Sequence, residues 1–140
     1  MVACEQKRPL PGGSERILLV EDNEELLEVT EAMLTTFGYE VICARNGTEA
    51  IHVLETSEPF DLLFSDVVMS NGPNGVELAR EVKRRCRGIK TLLSSGYAGD
   101  VLAREHAVDE FPIIHKPFRV SELAQCLRSV LDKADERRAG

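Results

Sequence analysis

Glu21, Asp22, Asp66, Ser94 and Lys116 are the side chains best placed to do chemistry together. Each follows a short apolar run. Ile17–Val20 runs into Glu21-Asp22, Leu62–Ser65 into Asp66, Thr91–Leu93 into Ser94, and Ile113–His115 into Lys116. Short, continuous apolar runs bounded by turn residues mark strands buried on both faces, as in a parallel sheet. Open parallel sheets bind ligands in the crevice outside the carboxyl ends of their strands. One sheet edge therefore collects three carboxylates, a hydroxyl and a lysine. The ionised groups sum to about −2, so the cluster needs a cation to neutralise it.

The intervening segments supply the elements that hold this edge. Asn23 is an N-cap, after which Leu26, Val29, Thr30, Met33 and Phe37 recur at helical spacing until Gly38 stops the helix. Val41–Ala44 is a second strand. Asn46 with Glu49 forms a capping-box pattern opening a helix through Leu54, and Pro59 closes that segment before the third strand. The loop Met69–Asn74 precedes a helix from Gly75 to Arg87 with Leu78, Ala79 and Val82 inward. Ala98–His106 is the weakest helical pattern, bracketed by Gly96 and Gly99. Ser121 is the expected cap of the last helix, which turns Leu123, Leu127, Val130 and Leu131 inward. Five strands alternating with five helices require right-handed crossovers and an α/β, doubly wound parallel sheet.

A chain of 140 residues suits one domain. The expected division is a mobile leader over residues 1–14, a folded domain over 15–132 and a charged tail over 133–140. The net charge of −7 argues against nonspecific nucleic-acid binding. Lys83, Arg84, Arg85, Arg87 and Lys90 cluster near one helix end, where cations suit the helix dipole; a solvated face is the favoured reading over an anion site. Cys4, Cys43, Cys86 and Cys126 are too widely spaced for a zinc site or disulfide framework, and Cys43 and Cys126 read as small core residues. Met1–Ser14 lacks the apolar stretch of a signal peptide, and no run reaches membrane-spanning length, so a cytoplasmic location is expected.

Glu21-Asp22, Asp66, Ser94 and Lys116-Pro117, in that order over roughly Arg16–Asp132, resemble the receiver domain of bacterial response regulators. The resemblance implies a (βα)5, flavodoxin-like sheet of strand order 2-1-3-4-5. It implies that Asp66 accepts a phosphoryl group, Ser94 donates its hydroxyl to that group, and Lys116 pairs with it. It also implies a magnesium ion held by Asp22, Asp66 and the Val68 carbonyl, with Glu21 acting mainly through a water. The phosphodonor would be a histidine kinase or histidine phosphotransfer protein. It would dock on Leu26, Leu27, Pro117 and Phe118, beside a cis Lys116–Pro117 bond. The protein would catalyse only its own phosphorylation and dephosphorylation, and would signal to a downstream protein as a monomer or weak homodimer, without nucleic acid or membrane.

Two departures stand out. The loop from Asp66 to Gly75 is one residue longer than in the commonest receivers, with Ser70 in place of a proline. This style is similar to receivers of hybrid histidine kinases and single-domain regulators. Ile113 stands where many receivers carry a switching aromatic ring. Being stiff at χ1, it leaves Ala98–His106 as the expected moving element. The alternatives are a receiver module of a hybrid histidine kinase and, more weakly, a small phosphatase with an aspartyl nucleophile. The phosphatase would need a second Asp two residues after the first, where Val68 follows Asp66 and Glu24 follows Asp22.

Overall fold

Each apolar run becomes a strand with two faces to bury. The computed structural model describes residues 10–69, 72–96 and 110–133. Its strands are β1 (Arg16–Val20), β2 (Glu40–Ala44), β3 (Leu62–Asp66), β4 (Lys90–Ser95) and β5 (Ile113–His115). They form one parallel sheet of order β2-β1-β3-β4-β5, the order implied by the resemblance. The described helices are α1 (Glu24–Thr36), α2 (Gly47–Thr56), α3 (Gly75–Arg85) and α4 (Val120–Asp132). Leu18, Val20, Leu63 and Leu93 face α2 and α3, joining Ala50, Val76, Leu78 and Val82 in one core layer. The alternate residues Ile17, Leu19, Leu62, Phe64 and Leu92 face α1 and α4, meeting Leu27, Leu34, Leu123 and Leu127. Period-two alternation between two covered faces is why these strands read as unbroken apolar runs. The helix expected over Ala98–His106 lies outside the described residues, as does Ser70.

Local signals set the helix ends, though not always the expected ones. The Asn23 side chain accepts from the Leu26 N–H at 3.1 Å. At the other end of α1, Gly38 has φ +105°; its N–H donates to the Thr35 carbonyl and that of Tyr39 to the Leu34 carbonyl. That double bond pattern closes the helix through a left-handed residue, which favours glycine. The Asn46 side chain caps α2 through the Glu49 N–H at 2.8 Å, but the Glu49 carboxylate accepts from Arg45, one residue before the cap. The complete capping box lies at α3, where Asn74 and Glu77 bond each other's N–H groups at 2.9 Å. Ser121 does not cap α4. The helix starts at Val120, one residue before Ser121, so Arg119 occupies the cap position and its N–H donates to Glu122 at 2.7 Å.

The stripe expected on the first helix divides between two faces. Leu27, Thr30 and Leu34 are buried, whereas Leu26 and Val29 are 42% and 56% exposed. The basic cluster is largely taken up within the molecule. Arg84 and Arg85 pair with Glu81, Arg85 also pairs with Glu55, and the Lys90 ammonium donates to the Leu131 and Lys133 carbonyls at the end of α4. Cys43, Cys86 and Cys126 are free and half-buried, and burial pushes the Cys43 thiol up to about 11.

Gly12 and Gly13, placed in the expected leader, are tied to the folded body. The Gly13 N–H donates to the Phe37 carbonyl at 3.2 Å, and Arg128 of α4 donates to the Gly12 carbonyl at 2.9 Å. Arg128 also pairs with Glu15 and Asp132, each at 2.7 Å. Its guanidinium holds both carboxyls below their ordinary values of 4.5 and 3.8. A lowered folded value stabilises the fold above the unfolded value, and that contribution is lost as pH falls through the folded value. Arg128→Met is therefore expected to lower the urea midpoint at neutral pH, with a deficit that shrinks below about pH 4.

Candidate functional site

Parallel register brings the expected residues to one edge. Asp66, the last residue of β3, lies opposite Ser94 of β4; Ser95 lies opposite His115, one residue before Lys116; and Glu21 follows directly on β1. Carboxylate oxygens of Glu21, Asp22 and Asp66 all lie within 4.8 Å of one another. The Lys116 ammonium sits 3.3 Å from Asp66 Oδ2 and 3.4 Å from Glu21 Oε1, bridging the two. The Lys116 N–H donates to the Ser95 carbonyl at 2.8 Å, and the Lys116–Pro117 bond is cis, as expected.

Burial decides the electrostatics of this edge. It pushes the Asp66 carboxyl up, against the pull of Lys116. Glu21 is buried, and its carboxyl is pushed up by burial and by the Asp66 charge, against the Asn23 N–H that donates to it at 3.1 Å and the Lys116 ammonium. Three crowded carboxylates facing one ammonium repel one another as long as they stay ionised. Their donors are all oxygen, the set that suits a hard divalent cation such as magnesium. Val68 lies in the loop just beyond and is exposed.

Adjacent strand residues point to opposite faces, which separates the two serines at the end of β4. Ser94 lines the groove beside Asp66 and Lys116, and Ser95 does not. That groove, of about 580 Å³, runs from the acidic edge between α1 and the segment after β5. Leu26, Val29 and Met33 form one wall, and Pro117 and Phe118 the other. Phe118 leans on Phe64, ring centroids 6.4 Å apart. Leu27, expected at this mouth, is 5% exposed and belongs to the core. Val29 and Met33 were not expected in the wall. The available signal was a helix with two apolar stripes, one more than a core requires. No described helix is long and apolar enough to cross a membrane.

The sequence model of the response regulator receiver domain matches residues 17–128. The sensor kinase CckA of Brucella abortus (strain 2308) is 36% identical over 125 residues, which is 88% of this chain and only 13% of that protein's length. The response regulator receiver protein CpdR of the same organism is 32% identical over 117 residues, 83% of this chain and 96% of its own. Among solved structures, the response regulator protein TrrA of Thermotoga maritima, in complex with Mg²⁺ and BeF, superposes with a TM-score of 0.70 at 29% identity, covering 83% of this chain and 98% of that one. Strand order, edge chemistry and sequence likeness agree: this chain belongs to the response regulator receiver domain family.

Proposed function

We propose that Asp66 takes a phosphoryl group from a phosphohistidine and that the modified protein signals through protein contacts. The observation that carries this reading is the convergence of Asp66 with Lys116 at 3.3 Å and with the Glu21-Asp22 pair within 4.8 Å. A carboxylate oxygen of Asp66 forms a bond to phosphorus as the N–P bond of the donor breaks, and the donor imidazole keeps the electron pair. Asp22, Asp66 and the Val68 carbonyl would hold a magnesium ion, with Glu21 reaching it through a water, and the bound ion would supply positive charge to the transferring group. Phosphorylation replaces one carboxylate charge with nearly two. The Lys116 ammonium, already beside Asp66, then pairs with a phosphoryl oxygen, and the Ser94 hydroxyl turns to donate to another. Slow hydrolysis of the acyl phosphate resets the protein, which turns over no separate metabolite.

The donor is a cytoplasmic histidine kinase or histidine phosphotransfer protein, seated on the groove walls at Leu26, Pro117 and Phe118. Exposed apolar side chains beside a charged site suit a transient interface. The same chemistry serves a receiver module within a hybrid histidine kinase, a reading supported by the likeness to part of CckA.

Acetyl phosphate with magnesium tests the reaction, and a phosphohistidine protein tests the docking. The protein is expected to gain the mass of one phosphoryl group from acetyl phosphate. Leu26→Asp and Phe118→Ala are each expected to slow transfer from the protein donor about tenfold while sparing acetyl phosphate labelling. Unchanged rates from the protein donor in both variants would move the docking face elsewhere.

A further inference from the structure

Gly75 opens α3 against the backbone of the proposed phosphoacceptor. A Cβ added there would lie 2.1 Å from the Asp66 carbonyl oxygen and 2.8 Å from Val67 Cα. Both atoms are backbone, so no side chain can swing aside to make room. Gly75 is not among the glycines with positive φ, so the close approach, and not an unusual conformation, requires glycine here.

The contact is fastened from several sides. The Gly75 N–H donates to the Val67 carbonyl at 2.7 Å, and the Val67 N–H donates to the Ser94 carbonyl at 2.9 Å. The Ser65 hydroxyl donates to the Asp66 carbonyl at 2.9 Å. The Asn74–Glu77 capping box fixes the helix start that carries Gly75. Two residues that never touch the Asp66 carboxylate thus hold its peptide, Gly75 by its missing side chain and Ser65 by a hydrogen bond.

We propose that Gly75 and Ser65 are positioning residues: they set the Asp66–Val67 peptide, and with it the aim of the Asp66 carboxylate and of the Val68 carbonyl toward the cation. The proposal deepens the reading of Asp66 as phosphoacceptor and rests on it. A methyl at Gly75 must push this peptide back by roughly 1 Å to restore ordinary contact. Partners that orient a metal ligand typically govern about tenfold or more in metal affinity, and a misplacement of about 1 Å can cost about a hundredfold in rate.

The test measures magnesium affinity by calorimetry, melting temperature without magnesium, and labelling by acetyl phosphate, on the full chain. Gly47→Ala is the matched control: it also opens a helix, but its Cβ would meet the Pro73 side chain, at 2.5 Å, and not Asp66. Gly75→Ala is expected to bind magnesium about tenfold more weakly and to label about a hundredfold more slowly. Ser65→Ala should shift affinity the same way by a smaller factor, and Gly47→Ala should match the wild type in affinity whatever its melting temperature. Wild-type magnesium affinity in folded Gly75→Ala overturns the proposal, as does an equal loss in Gly47→Ala. If Gly75→Ala does not fold, wild-type affinity in Ser65→Ala overturns it. Labelling of Asp66→Asn would instead strike the phosphoacceptor reading, leaving the affinity measurements to judge the positioning.

Discussion

Asp66→Asn is expected to take up no phosphoryl group from acetyl phosphate or from a phosphohistidine protein, under conditions that label the wild type fully. The amide keeps the shape of the side chain but lacks an anionic oxygen to bond phosphorus. Stability should move the other way. Burial holds the Asp66 carboxyl above its ordinary value despite Lys116. A carboxyl raised in the folded state favours folding at low pH, and that contribution is lost as pH rises through the raised value. At neutral pH the ionised carboxylate therefore works against the fold, and the neutral amide relieves it. Without magnesium, Asp66→Asn should melt no lower than the wild type, and magnesium should stabilise it less. Intact mass and paired melting curves measure both. Equal labelling of the Asn variant would transfer the acceptor role to another residue.

Lys116→Met should move stability and its response to magnesium in the opposite directions. Its ammonium lies between Glu21 and Asp66, whose side chains are 8% and 13% exposed. Removing it leaves two largely buried carboxylates facing each other. Without a cation this should cost about 2 kcal/mol, less than a fully buried pair because water still reaches the edge. The same oxygens then attract magnesium more strongly, so added magnesium should raise the melting temperature further than in the wild type. Phosphorylation should nonetheless slow by about a hundredfold or more, because no fixed cation meets the charge on the transferring group. A variant whose melting responds to magnesium no more than the wild type would show that Lys116 does not neutralise the pair.

How much of this was legible from residues alone depended on how many structural roles a local pattern could serve. Ile17–Val20 and Leu62–Phe64 had no polar face to offer, so a strand covered on both sides was the only economical reading, and the acids and lysine following such runs located the edge. Strand order came from the family resemblance, since no periodicity encodes which strand neighbours which. The first helix was ambiguous for a physical reason: Leu27, Thr30 and Leu34 make one stripe and Leu26, Val29 and Met33 another, and both satisfy helical spacing. Two Asn-x-x-Glu patterns were available as capping boxes. The one at Asn46 is half of a box because Glu49 turns to Arg45, whereas the one at Asn74 closes fully. Gly75 could be read only once β3 and α3 were placed together, because a forbidden Cβ is a property of the neighbour it would strike.

The anchoring of Gly12 and Gly13 beside Phe37, and of Lys90 on the end of α4, fixes where the described chain enters and leaves the fold. Both described entry and exit points, ahead of β1 and after α4, lie at the amino-terminal rim of the sheet. The acidic mouth opens at the opposite rim, about 15 Å away along a five-residue strand. The described chain therefore enters and leaves the fold on the side away from the mouth. None of the described backbone leading into β1 or out of α4 has to cross the acidic mouth, so entry, exit and chemistry occupy separate ends of one sheet.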